Sequence, residues 1–241
     1  MTVPVLSTRW TQEGLWCYTI HNEAKQMAAV QDHGEFWESE VIKDKTNRKY
    51  DKESYDKLKE EKGFGGYTSP MDLIKGLGGV NANGSAKAAK GVNSCTVNCG
   101  NILDRMDECK NTEFELIVGM FTQIDKKIKH FHTQYIFYVK PEHYEILWGS
   151  MSREDVVEFD TYVKSIPNGK EAQVEYNPKW KRRVKELRKK KGYMQINAKV
   201  DSKDQRRVQC SITLRNLLKS GIKYKKNSID LTYNSSPRQF N

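Results

Sequence analysis

Apolar residues follow two patterns along this chain, and the change comes near residue 113. Phe114 to Thr122 reads Phe-Glu-Leu-Ile-Val-Gly-Met-Phe-Thr, and Phe131 to Val139 is a second run of aromatic and β-branched residues. Both predict strands. The charged step Asp125-Lys126-Lys127 between them predicts a hairpin. Ser152 to Ile166 has helical spacing, with Val156, Phe159 and Val163 on one face, Ser152 as N-cap and Asp155 at the capping-box position. Asn177-Pro178 opens a basic helix, with Pro178 in its first turn. Trp180, Val184 and Leu187 give that helix a narrow apolar stripe. Tyr193 to Val200, Arg207 to Leu214 and Ser228 to Tyr233 read as three closing strands.

The first part of the chain is less regular. Residues 1–38 are rich in aromatics, with a short strand predicted at Leu15 to Ile20 and a helix start at Glu23 to Val30. Lys43 to Lys62 mixes eight basic and six acidic residues around only Tyr50, Tyr55 and Leu58, which predicts an exposed helix held by i,i+4 pairs. Gly63 to Asn93 holds eight glycines and several alanines, the composition of a loop or linker. A phosphate-cradling loop is excluded, because Gly78 to Ser85 lacks the required lysine. The fold class expected is α+β, mixed helices and antiparallel strands with a strand-rich C-terminal half. Residues 95–241 would be a compact region. Residues 1–94 would be an aromatic, charged and Gly-rich portion that packs on it or exchanges with a neighbouring copy.

The chain has 241 residues, enough for one large domain or two small ones. No stretch approaches the roughly 20 apolar residues a membrane helix needs. The first ten residues lack the layout of a secretion signal, so an intracellular setting is expected. The formal net charge is +10, from 41 basic and 31 acidic residues. Lys179, Lys181, Arg182, Arg183, Lys185, Arg188, Lys189, Lys190 and Lys191 stand against Glu186 alone, so this one segment carries +8 of the total. It is laid out like a two-part nuclear import signal, which favours nucleus over cytoplasm. It would also contact phosphate in a salt-sensitive, sequence-indifferent way, or acidic patches on another copy.

Five cysteines, Cys17, Cys95, Cys99, Cys109 and Cys210, leave at least one unpaired within the chain. Reduced thiols are the default inside a cell, and an odd count permits a bridge between copies in an oxidising setting. Cys95, Cys99 and Cys109, with His130 or His132, fit no common zinc spacing. No cofactor is expected.

Two pieces carry a catalytic pattern. Trp16-Cys17-Tyr18-Thr19-Ile20-His21-Asn22 resembles the first motif of the HUH endonucleases, the replication initiators of circular single-stranded DNA viruses, and Phe114 to Gly119 followed by His132-Thr133-Gln134-Tyr135-Ile136-Phe137 resembles their second. The resemblance implies single-stranded DNA nicking, with His130, His132 and Gln134 at a divalent metal and Tyr162 as nucleophile. The family's Tyr-x-x-Lys motif is matched here only by Tyr162-Val163-Lys164, one residue short.

Composition supports a different leading expectation: a self-assembling structural protein whose partners are copies of itself. A viral occlusion-body, polyhedrin-like matrix protein is the type. Balanced charges allow many ion pairs between molecules, and aromatics suit interface cores. Thirty Lys and twelve Tyr, titrating near 10, would make such a lattice dissolve in alkali. DNA nicking and a coat or nucleocapsid role, with nucleic acid bound through 179–191, are the alternatives.

Overall fold

The computed structural model describes residues 33–45, 51–65, 69, 71–75, 84–90, 96–125, 127–190, 192–200 and 205–234. The predicted elements at Leu15 to Ile20 and Glu23 to Val30 lie outside them. The architecture is α+β, with seven helices and seven strands in two sheets among the described residues.

The first sheet has four strands. β1 (Gly84–Ala89) runs parallel to β3 (Phe114–Gln123), which pairs antiparallel with β4 (Ile128–Val139). β7 (Tyr224–Asn234) closes the far side against β4. The β3–β4 turn is held by Asp125, whose Oδ1 accepts from the amides of Lys127 and Ile128 at 2.6 and 2.8 Å. The sequence reading of this hairpin is correct.

The second sheet has three antiparallel strands, β2 (Thr96–Asn101), β6 (Arg206–Thr213) and β5 (Gln195–Val200), in the order β2-β6-β5. The three predicted closing strands are therefore divided, two in this sheet and one in the first. A short helix between them, α7 (Leu214–Lys219), is N-capped by Thr213 and was not read from the sequence.

Helix α1 (33–45) crosses the first sheet and buries Trp37, Val41 and Ile42. Trp37 stacks on Phe131 with ring centroids 5.3 Å apart and planes 8° from parallel. Gly119 of β3 allows this approach, since a Cβ there would overlap the Trp37 indole, with Cζ2 at 2.8 Å. The predicted helix over 43–62 is two helices. Asp51 is extended and accepts from the Ser54 amide at 3.0 Å, which starts α2 (Lys52–Glu61) afresh. Nor is α2 wholly solvated, because Tyr55 and Lys59 are buried.

The linker reading of 63–93 is also corrected for its described residues. Met71, Leu73, Ile74, Ser85, Ala86 and Ala89 are buried. Leu73 and Gly84 form a two-way backbone bridge, each amide donating to the other's carbonyl at 2.8 Å. Small residues here permit close packing. A Cβ on Gly84 would meet Leu73 Cδ1 at 2.8 Å.

α3 (Ile102–Asn111) connects β2 to β3, and α5 (Arg153–Lys164) and α6 (Lys170–Arg188) pack with it on the second sheet. Ser152 and Asp155 form the expected capping box. Pro178 lies inside α6 rather than in its first turn, because the helix begins eight residues earlier than its sequence signal. The short α4 (Tyr144–Trp148) docks where two backbones cross: Ser150 N donates to Lys190 O at 3.0 Å and Met194 N to Leu147 O at 2.8 Å.

Replacing Gly119 by Val should displace the Trp37 indole at a cost of about 1–3 kcal/mol, the usual range for overpacking. Urea unfolding followed by tryptophan fluorescence checks this. An unchanged midpoint would mean that Trp37 does not sit on Gly119.

Candidate functional site

A polar cluster lies where the ends of the two sheets adjoin, built from a turn, a strand and two helices. The Leu73–Gly84 bridge fixes the turn and puts Asp72 against β1. Asp72 Oδ2 accepts three hydrogen bonds, from Ala86 N at 2.7 Å, Lys87 Nζ at 2.9 Å and Ser85 Oγ at 3.3 Å. All three converge on one oxygen, and Oδ1 takes none of them. Burial by itself raises the Asp72 carboxyl, but the Lys87 ammonium and the Ala86 amide outweigh it and hold the group below its ordinary value of 3.8.

From α2, Lys59 faces the same carboxylate and pairs with Asp56 at 2.8 Å while only 3% exposed. From α3, Arg105 is 2% exposed and donates to Cys99 O at 3.2 Å and to Ser85 Oγ at 3.4 Å. Its guanidinium also covers the Phe114 ring at 5.3 Å. The cluster thus presents a buried carboxylate whose three hydrogen bonds all fall on one oxygen, a lysine beside it, and a second Asp–Lys pair on α2.

Sequence reasoning missed these residues. Their signal was present: a charged residue inside each of two apolar or small-residue runs, Met71-Asp72-Leu73-Ile74 and Ser85-Ala86-Lys87-Ala88-Ala89. Glycine-rich composition masked it.

The residues named beforehand fall elsewhere. His130 and His132 share a face of β4 with ring centroids 6.4 Å apart. His130 Nδ1 lies 3.6 Å from Asp230, His132 Nδ1 is 2.9 Å from Thr133 Oγ1, and Gln134 Oε1 accepts from Asn227 Nδ2 at 2.8 Å. Tyr162 stands on α5, on the other sheet, its hydroxyl buried without a hydrogen bond and Arg183 5.3 Å above its ring. The structure therefore pairs the two histidines with each other and places the tyrosine in a separate layer. Among the described residues no three His, Cys, Asp or Glu side chains converge on a metal position.

Cys99, Cys109 and Cys210 are buried and reduced, while Cys17 and Cys95 lie outside the described residues. The Cys99 thiol is lowered, first by its hydrogen bond with Cys210, then by Arg105 and Lys87, against the opposing effect of burial. Burial pushes Cys109 up to about 12. A bridge between copies through any of these three requires the core to open.

Of the basic segment, Lys179 pairs with Glu175, Arg183 with Glu158 and Lys190 with Asp155, and Arg188 donates to Ile196 O. Lys181, Arg182, Lys185 and Lys189 are exposed and unpaired among the described residues. Lys191 lies outside them.

Because the folded-state value of Asp72 is depressed, its ionised form stabilises the fold at neutral pH, and that contribution disappears as pH falls below about 4 through the folded value. Asp72→Asn should therefore weaken the fold at pH 7 and lose less than the wild type between pH 7 and pH 3. Urea titrations at the two pH values measure both differences, and equal acid losses would show that Asp72 is not ion-paired.

No family model, curated protein or solved structure matches the chain.

Proposed function

We propose that this protein hydrolyses phosphodiester bonds in nucleic acid with the help of a divalent cation, at a centre formed by Asp72 and Lys87. The observation that carries this reading is the asymmetry of the Asp72 carboxylate. Three donors lock Oδ2 and none of them engages Oδ1, where a ligand would bind. Magnesium suits such a site, since it keeps most of its waters and binds through one or two carboxylates plus substrate phosphates rather than a full protein cage. Lys59, which faces Asp72, holds a second carboxylate, Asp56, at 2.8 Å.

When bound, the cation would polarise a phosphoryl oxygen and acidify a bound water. The chain's own groups do the rest. Asp72 would hold the cation, and the Ser85 hydroxyl and Ala86 amide hold Asp72. Lys87 donates to the phosphate oxygens as negative charge builds on them. Water adds to phosphorus, one ester P–O bond breaks, and the departing alkoxide takes up a proton from solvent as the attacking water gives one up. The excess charge of +10 draws a polyanionic substrate, and Lys181, Arg182 and Lys185 on α6, with Lys189 at its C-cap, are available to its phosphates.

Purified protein with magnesium or manganese should cut a labelled DNA or RNA panel, and EDTA should stop it. Asp72→Asn and Lys87→Ala should each lower the rate by roughly 10²-fold or more, in the range for lost metal or acid–base groups. His132→Ala and Tyr162→Phe should leave the rate unchanged. Loss of cutting in the His132 or Tyr162 variants, with Asp72→Asn active, would move the chemistry to β4.

A second reading, assembly of copies, is favoured by β7. Its eleven residues form one edge of the first sheet, and among the described residues no strand covers that edge. It expects large particles in light scattering at neutral pH that dissolve between pH 10 and 11, as Tyr and Lys titrate. A monomer throughout would overturn it.

A further inference from the structure

Alternation along β5 and β6 sorts their side chains cleanly. Ile196, Ala198 and Val200 stand opposite Cys210, Val208 and Arg206, on the face covered by α3, α5 and α6. On the other face, Gln195, Asn197 and Lys199 stand opposite Ser211, Gln209 and Arg207. Asn197 and Arg207 are exposed, Gln195, Lys199 and Gln209 are half-buried, and Ser211 is buried. Three carboxamides, a hydroxyl and two cations thus share a small area with no carboxylate on either strand.

The cations are the telling pair. Lys199 and Arg207 are direct cross-strand partners, which puts their Cβ atoms about 5 Å apart. Like charges placed so repel and weaken the sheet. Neither forms an ion pair among the described residues; residues 201–204, which follow β5 in the sequence and include Asp201 and Asp204, lie outside them. Such a pair gains stability when an anion sits between the two side chains. Beside it, each carboxamide offers a donor and an acceptor together, the pairing that matches the edge of adenine in the major groove. Asn197 Nδ2 spends one donor on Ser211 Oγ at 2.6 Å, which fixes its plane and leaves its oxygen outward-capable as an acceptor.

Resting on the reading of this protein as one that acts on nucleic acid, we infer that the outer face of the β2-β6-β5 sheet binds duplex DNA, with Lys199 and Arg207 on a phosphate and Gln195, Asn197 and Gln209 at base edges. Adjacent strands are about 5 Å apart, so the three strands β2, β6 and β5 span about 10 Å against a groove about 12 Å wide. β5 is the edge strand, and α6 packs beside it through Arg188 Nη2 to Ile196 O at 3.2 Å. The unpaired cations of α6 therefore belong to the same half of the molecule as the ribbon.

The test measures binding of the wild-type chain, in EDTA, to a fluorescent 20-base-pair duplex over a range of KCl concentrations. Lys199→Ala with Arg207→Ala should weaken binding at least tenfold at low salt. It should also lower the slope of log K against log salt by about 1 to 2, since each lost phosphate contact removes about 0.9. Gln195→Ala, Asn197→Ala and Gln209→Ala together should keep the slope but flatten sequence preference in selection from a randomised duplex pool. Matching thermal melts of the variants confirm that they fold. An unchanged slope in the double variant overturns the inference, as does failure of the wild type to bind duplex at any salt. Cutting in magnesium is scored separately. Salt-sensitive binding through these residues without cutting would sink the hydrolysis reading alone, and cutting with an indifferent ribbon would sink the ribbon alone.

Discussion

A buried charge must be compensated or the fold around it fails, and Asp72 imposes that requirement here. Its carboxylate meets Lys87 and the Ala86 amide, while Ser85 passes the contact to Arg105, and Arg105 reaches the Cys99 carbonyl. With Lys59 facing the same group, the network joins α2, the turn at 71–75, β1, β2 and α3. β1 belongs to one sheet and β2 to the other, so these few polar contacts tie the two sheets together. Removing one partner from such a buried pair typically costs about 3–5 kcal/mol, because the remaining charge is stranded. An apolar replacement of the whole pair could be as stable, so the charges here fix how the segments meet rather than adding net stability.

The two halves of the molecule divide the work differently. In the four-stranded sheet, aromatic packing dominates: Trp37, Phe121 and Phe131 are mutually packed, with Phe36 and Tyr233 at the margin. In the three-stranded sheet, one face is sealed by helices and the other is polar. Its edge strand lies beside a helix whose anchoring residues Trp180, Val184 and Leu187 point inward while four lysines and arginines remain unpaired. Charge that composition shows only as a total is thus placed on one half of the fold.

Local signals in the sequence were reliable where the interaction they encode is local. The Ser152 capping box, the Asp125 turn and the two strands it joins are each made by residues within a few positions of one another, and each was legible. The signal failed where a distant partner reversed a local preference. Pro178 tolerates a helix interior because α6 is anchored by packing on α5 and β5. Gly84 and its neighbours look like linker until β3 is placed beside them, when smallness becomes the condition for close approach. The candidate site was hidden for the same reason, since Asp72, Lys87, Lys59 and Arg105 acquire meaning only as neighbours.

The sequence by itself determined the class of fold, the positions of its strongest hairpin and best-capped helix, and the location of its excess charge. Those follow from periodicity, capping chemistry and counting, which need no knowledge of distant contacts. Tertiary structure alone decided which sheet each closing strand joins, which cysteines are sealed in the core, and that a carboxylate and two lysines from three separate segments meet. The physical reason is that pairing partners far apart in sequence are selected by burial and charge compensation across the whole chain, and no local window contains that information.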